Sequence, residues 1–166
     1  MTVFFTSDQH FGHGGALGLF RRPFPSVAAM DEAMVQRWNA VASGADTVWH
    51  LGDFAVRRPA AWMAEVLGRL NGTKHLIAGN NDGPETRALA GWASVGEQAE
   101  LELDGIGLVL CHYALKRWPG MERGVWSLHG HSHGQLRSPR PRQVDVGVDV
   151  WDFRPVTLAQ IIRPPT

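Results

Sequence analysis

Asp8, His10, Asp53, Asn80, His112, His131 and His133 are the residues of this chain whose types and spacing could do chemistry together. They fall in five short motifs: Asp8-Gln9-His10, Gly52-Asp53, Gly79-Asn80-Asn81-Asp82, Cys111-His112 and Gly130-His131-Ser132-His133. Each motif stands at or just after the end of an apolar run. Asp, His and Asn are ligands for hard-to-borderline divalent metals. One ion takes about four to six such groups, so seven point to two ions sharing a carboxylate. Two ions roughly 3.5–4 Å apart are the arrangement used for phosphoester displacement. They polarise the phosphoryl oxygens and lower the pKa of a bridging water far enough to make hydroxide near neutral pH. No Ser, Cys or Thr nucleophile is needed. The mixed nitrogen and oxygen set favours manganese first, then iron, zinc or nickel, over magnesium.

The elements that must hold these residues are legible as apolar runs. Val3-Phe4-Phe5-Thr6 reads as a buried first strand and Thr47 to Leu51 as a second. His75 to Ala78 reads as a third. Residues 8–25, rich in Gly and Pro, read as loop. Ser26 is an N-cap for a helix to about Ala42, with Met30, Met34, Val35, Trp38 and Val41 on one face. Pro59 opens a second helix that Asn71-Gly72 stops, and Pro84 starts a short one running to about Ala90. Gln98 to Leu103, Asp104-Gly105 and Ile106 to Leu110 read as a hairpin. Trp126 to Leu128 and Val144 to Val150 read as further strands, and the tail from Val156 to Ile162 as helix or strand. Strand and helix alternate in the first half, which argues for a parallel sheet; the second half argues for mixed pairing. Ligands of open α/β sheets bind outside the carboxyl ends of the strands, and Asp8, Asp53, Asn80, His112 and His131 all follow such ends. His131 and His133 alternate, so both reach one site only if residues 130–134 form a loop.

Bulk properties set limits. A chain of 166 residues with 44% hydrophobic and 19% charged residues is read as one domain, 1–166. Formal net charge is zero, so no global basic field draws in long nucleic acid. The local cluster Arg137, Arg140 and Arg142, broken by Pro139 and Pro141, reads as a solvated loop. Cys111 is the one cysteine and no intramolecular disulfide is possible. No leader or membrane-length apolar stretch occurs, which makes the cytoplasm the default expectation.

The motifs in this order resemble the calcineurin-like metallophosphoesterases, and a small single-domain bacterial or phage branch in particular. The similarity rests on Thr6 to His13, His50 to Phe54, Gly79 to Asp82 and His129 to Gly134, and runs from Phe4 to about Val150. It implies a four-layer α/β/β/α sandwich with mixed sheets and a dinuclear centre. Asp8, His10 and His133 would then hold one ion, Asn80, His112 and His131 the other, with Asp53 as the bridge. A bridging hydroxide would attack phosphorus in a phosphodiester, cyclic or nucleic-acid-derived, or in a phosphomonoester. The implied partner is a small phosphorylated substrate or nucleotide. One position departs from the family pattern: Asn81 stands where a His usually contacts phosphate and protonates the leaving group. Asn donates a hydrogen bond but shuttles no proton at pH 7. His13, beside Gly12 and Gly14-Gly15, is the candidate substitute.

Other residues carry weaker readings. Arg117, with Lys116 beside it, follows His112 in a rim loop and is a candidate phosphate contact, against solvated surface as the plainer alternative. Asp145 and Asp149 are candidate acceptors for the histidines. Trp118 and Trp126 could stack on a base. His50, His75, His129 and Cys111 read as structural. The rival to an enzyme is a non-catalytic metal-binding or protein-interaction scaffold of the same fold; seven filled ligand positions argue against it, and Asn81 is the hint in its favour.

Overall fold

The computed structural model describes residues 1–163. The first half comprises β1 (Val3–Thr6), the one-turn helix α1 (Ala16–Leu19), α2 (Val27–Val41), β2 (Thr47–His50), α3 (Ala60–Arg69), β3 (Thr73–Ile77), the one-turn α4 (Pro84–Arg87) and β4 (Trp92–Gly96). The second half comprises β5 (Gln98–Leu103), β6 (Ile106–Cys111), a 3-10 turn (Met121–Arg123), β7 (Trp126–His129), β8 (Gln143–Asp145), β9 (Val156–Thr157) and α5 (Leu158–Ile162).

Strands β1 to β4 pair in parallel, and β9 adds antiparallel to the free edge of β1, in the order β4-β3-β2-β1-β9. The second sheet, β5-β6-β7-β8, joins the antiparallel β5–β6 hairpin to parallel β6–β7 and β7–β8 pairs. Asp104 and Gly105 both take positive φ, as a two-residue hairpin turn requires. Both sheets are mixed, and with their helices they make an α/β fold.

Successive apolar residues of β1 to β3 point into two different cores. Phe4, Val48 and Leu76 pack with Met30, Met34, Trp38, Met63 and Leu67 of α2 and α3. Phe5, Leu51 and Ile77 pack with Leu108, Leu110 and Leu128 of the second sheet. Burial on both faces is why these strands read as unbroken apolar runs. Ser26 caps α2 by accepting from the Ala29 amide, as its position before the periodic face predicts.

Beside the second sheet, residues 113–125 form a loop with the 3-10 turn. Trp118 is buried there and donates its indole N–H to the Val125 carbonyl, and Gln143 of β8 donates to the Leu115 carbonyl. Gly120 and Gly124 take φ of 73° and 88°, which a continuous helix does not allow.

Three expectations about single elements change. Strand β4 goes unread in the sequence because it is an edge strand with only Trp92 buried, so no alternation marks it. The run from Val144 to Val150 stops being strand at Asp145: Val146 enters the inter-sheet core and Val148 the helix-side core, so the chain crosses between cores rather than presenting one face. The tail is both strand and helix, β9 passing into α5 through a Thr157–Gln160 capping box. Among the described residues no helix is long and apolar enough to cross a membrane.

Candidate metal centre

The five motifs meet at one rim because the strands that precede them end there. Asp8 follows β1, Asp53 follows β2, Asn80 follows β3, His112 directly follows β6 and His131 follows β7. Beyond β1 and β2 the chain continues side by side: the amides of Asp8, His10 and Phe11 donate to the carbonyls of Gly52, Asp53 and Phe54. That ladder brings Asp8 and His10 against Asp53.

Asp8, His10, Asp53, His131 and His133 all take the left-handed backbone region, with φ between 46° and 64°. Asp and His tolerate this region better than most residues, yet it still costs about 1–3 kcal/mol at each position. Five of the eleven non-Gly residues with positive φ among the described residues meet in this one place. The turns also solve the alternation problem, since His131 and His133 both face the site from a loop. Two glycines permit the close approach. A methyl at Gly79 would collide with Asp53 and the His112 ring, and one at Gly130 with Ser7 and Asp8.

Two groups could each hold an ion: Asp8, His10 and His133, and Asp53, His112 and His131, with the ligand atoms of each within 4.8 Å of one another. Asp53 stands between them. Its Oδ2 lies 3.4 Å from His10 Nε2 and 3.7 Å from His112 Nε2. Asn80 Oδ1 lies 3.1 Å from His112 Nε2, which adds Asn80 to the second group.

The chemistry of the donors fits cations. Asp8 Oδ1 and His10 Nε2 are buried and have no hydrogen-bond partner among the described residues. Leaving such groups bare costs roughly 1–3 kcal/mol each, and a shared cation would satisfy both. His112 Nδ1 lies 2.7 Å from the Leu51 carbonyl and so carries the proton, while burial holds the ring neutral. Its Nε2 therefore offers a lone pair toward Asn80 Oδ1. His133 Nδ1 lies 2.7 Å from Asp149 Oδ2, which fixes that ring the same way. Burial pushes the Asp8 carboxyl well above the usual range. Burial acts on Asp53 too, but the His10 ring 3.4 Å away, two hydrogen bonds from Asn81 and the nearby His112 outweigh it and hold that carboxyl low.

The remaining expected residues divide. Asn81 is brought in: its amide N–H donates to Asp53 Oδ1 at 2.8 Å and its Nδ2 to Asp53 Oδ2 at 2.7 Å. His13 is brought in with its Nδ1 3.2 Å from His10 Nδ1. Arg117 is not; it is exposed, pairs with Glu122 at 2.6 Å, and lines a cavity with Lys116, Arg140 and Arg142 that none of the seven residues borders. Asp149 meets His133, whereas Asp145 accepts from the Gly134 and Gly147 amides. Trp118 and Trp126 offer no stacking face, the first being buried and the second packed against the inter-sheet core. His50 is a core histidine whose Nδ1 accepts from Gly52, and burial lowers its pKa to about 3. His75 stacks on Trp49, and Cys111 is buried.

Four residues at the site carry roles the sequence did not suggest. Asp82 accepts from the amides of Asp53, Phe54 and Gly79 and so locks two motif turns together; the signal was its place in Gly-Asn-x-Asp. Arg22 is fully buried, forks onto Asp149 and reaches the carbonyls of Asp8 and Gln9. Phe20 stacks on His133 with ring centroids 3.6 Å apart. Arg58 lies over Gly12 and Trp62 beside His13 and Asn81.

Comparison with known proteins bears on the fold and the family. The chain is 29% identical over 169 residues to an uncharacterised protein of Methanocaldococcus jannaschii, covering 97% of this chain and 89% of that one. The fold resembles a protein of unknown function from Aquifex aeolicus, with a TM-score of 0.77 at 21% identity, over 95% of this chain and 96% of that one. It also resembles the Pseudomonas putida nuclease MPE, with a TM-score of 0.51 at 24% identity, over 82% and 67% of the two chains. The model of the calcineurin-like phosphoesterase superfamily domain matches residues 1–146, and the chain belongs to that superfamily.

Proposed function

We propose that this protein hydrolyses a phosphodiester at a pair of divalent ions. Asp8, His10 and His133 would hold one ion, Asn80, His112 and His131 the other, and Asp53 would be shared. The observation that carries the proposal is the single oxygen Asp53 Oδ2 lying between His10 and His112, one histidine from each group. When bound, such a pair supplies Lewis acidity and an ionised water for displacement at phosphorus. Manganese is the ion proposed first, on the mixed nitrogen and oxygen donors.

The chain's own residues position and hold protons. Leu51 and Asp149 fix the tautomers of His112 and His133. Asn81 holds Asp53 through two hydrogen bonds and cannot protonate a leaving group. General acid help is worth roughly 10²–10⁴-fold, and diesters with good leaving groups need it least. His13 lines the same cavity as Asn81 and is the one titratable imidazole there.

The test is manganese-dependent turnover of bis-p-nitrophenyl phosphate and p-nitrophenyl phosphate, with Asp53→Asn as control. The diester should be cleaved faster than the monoester, and Asp53→Asn should abolish both. Turnover no higher than that of the variant would favour the non-catalytic scaffold.

A further inference from the structure

We infer that the cavity beside the metal groups, formed by Arg57, Arg58, His13 and Asn81, receives a second phosphate of the substrate. The inference rests on the phosphoesterase reading above and narrows it. A cyclic mononucleotide has one phosphate, whereas a nucleic-acid end or a nucleoside bisphosphate has another one nucleoside away.

The cavity measures about 350 Å³. An adjoining hollow of about 330 Å³ shares Arg57, Arg58 and Asn81 and adds the apolar walls of Ala55 and Met63. Two walls of the 350 Å³ cavity bond directly to the metal groups, Asn81 to Asp53 and His13 to His10. A molecule with its reacting phosphorus at the metal groups would therefore extend into it.

Arg58 is held in place without being neutralised. Its guanidinium carbon lies 4.5 Å from the centroid of the Trp62 ring. Its stem crosses Gly12 so closely that a methyl there would come within 2.6 Å of Arg58 Cδ. Arg58 Nε is buried with no hydrogen-bond partner among the described residues. Neither Arg57 nor Arg58 has a carboxylate within ion-pair distance among those residues; other arginines share that, but only these two line this cavity. The neighbouring carboxylate, Asp31, instead accepts from the Gly12 amide with both oxygens at 3.1 Å. Arg57 takes a φ of 52°, a strained backbone that persists only where its surroundings hold it. Two guanidinium forks without a carboxylate partner, that of Arg58 held in place by Trp62 and Gly12, match the oxygens of a phosphate.

The test compares thymidine 5′-(4-nitrophenyl phosphate) with the same ester bearing a 3′-phosphate, in manganese. The wild-type protein should prefer the 3′-phosphorylated ester by at least roughly tenfold in kcat/KM, the worth of one charge-assisted hydrogen bond. Arg58→Gln, and separately the more exposed Arg57→Gln, should shrink that ratio toward one through KM. An unchanged ratio in both variants, or no preference in the wild type, overturns the inference. A second arm measures calorimetric binding of thymidine 3′,5′-bisphosphate and thymidine 5′-monophosphate to the metal-free protein. Tighter binding of the bisphosphate, lost in both variants, supports the cavity even if neither ester is cleaved; equal binding overturns it. Failure of cleavage alone counts against the phosphoesterase reading instead.

Discussion

The two halves of the candidate metal centre are built differently. Asp8 and His10 are buried and His133 nearly so, with Phe20 stacked on the His133 ring. Behind them Arg22 ties Asp149, which holds His133, to the carbonyls of Asp8 and Gln9. Across Asp53, only His112 is enclosed, while Asn80 and His131 are exposed. One half is preformed by a buried ionic frame; the other is finished by residues in contact with solvent. Preorganised ligands bind with less lost freedom, so the enclosed half should take its ion first and release it last. The open half is where substrate and water can enter.

The comparison can be broken in order of effect. Asp53→Asn removes the one group both halves share and should reduce manganese-dependent turnover to background, read as initial rates on the activated diester. Arg22→Met leaves the Asp149 carboxylate without its fork in a buried setting. Loss of one partner of a buried pair costs about 3–5 kcal/mol, which denaturant unfolding would show; a shift under 1 kcal/mol would mean that the frame does not support the enclosed half. Asp149→Asn keeps the shape and removes the charge behind His133. It should weaken the tighter ion by roughly 10–100-fold in a chelator competition and leave the weaker one nearly unchanged. Asn81→His should raise the rate on p-nitrophenyl phosphate more than on bis-p-nitrophenyl phosphate, since a proton donor helps the poorer leaving group more. Equal gains on both would remove that argument.

Much of this candidate centre was legible because Asp8, Asp53, Asn80, His112 and His131 each stand just past the end of a largely apolar strand. Phe4-Phe5, Val48-Trp49 and Leu76-Ile77 announce strands, and Asp8, Asp53 and Asn80 follow them. The supporting frame was not legible. Arg22 sits in a Gly- and Pro-rich stretch, and its partner Asp149 lies 127 residues away, so no local pattern links them. Asp149 could be suspected as an acceptor, but Asp145, four residues earlier, looked the same and bonds to backbone instead. Arg117 followed a ligand in the sequence, yet its loop turns away over the second sheet and pairs it with Glu122. Arg57 and Arg58 precede a helix-opening proline and gave no chemical signal until Gly12, Trp62 and Asn81 were seen around them. Nearness along the chain marked the candidate ligands; nearness in space, set by loops, marked the residues that surround them.

The most direct test is a manganese titration of the metal-free protein, with bound ions per chain and diester turnover followed on the same samples. Two ions of unequal affinity, with turnover rising as the second binds and neither stoichiometry nor turnover surviving in Asp53→Asn, is the expected result. One ion per chain at full turnover, or turnover that Asp53→Asn leaves intact, would contradict a shared centre.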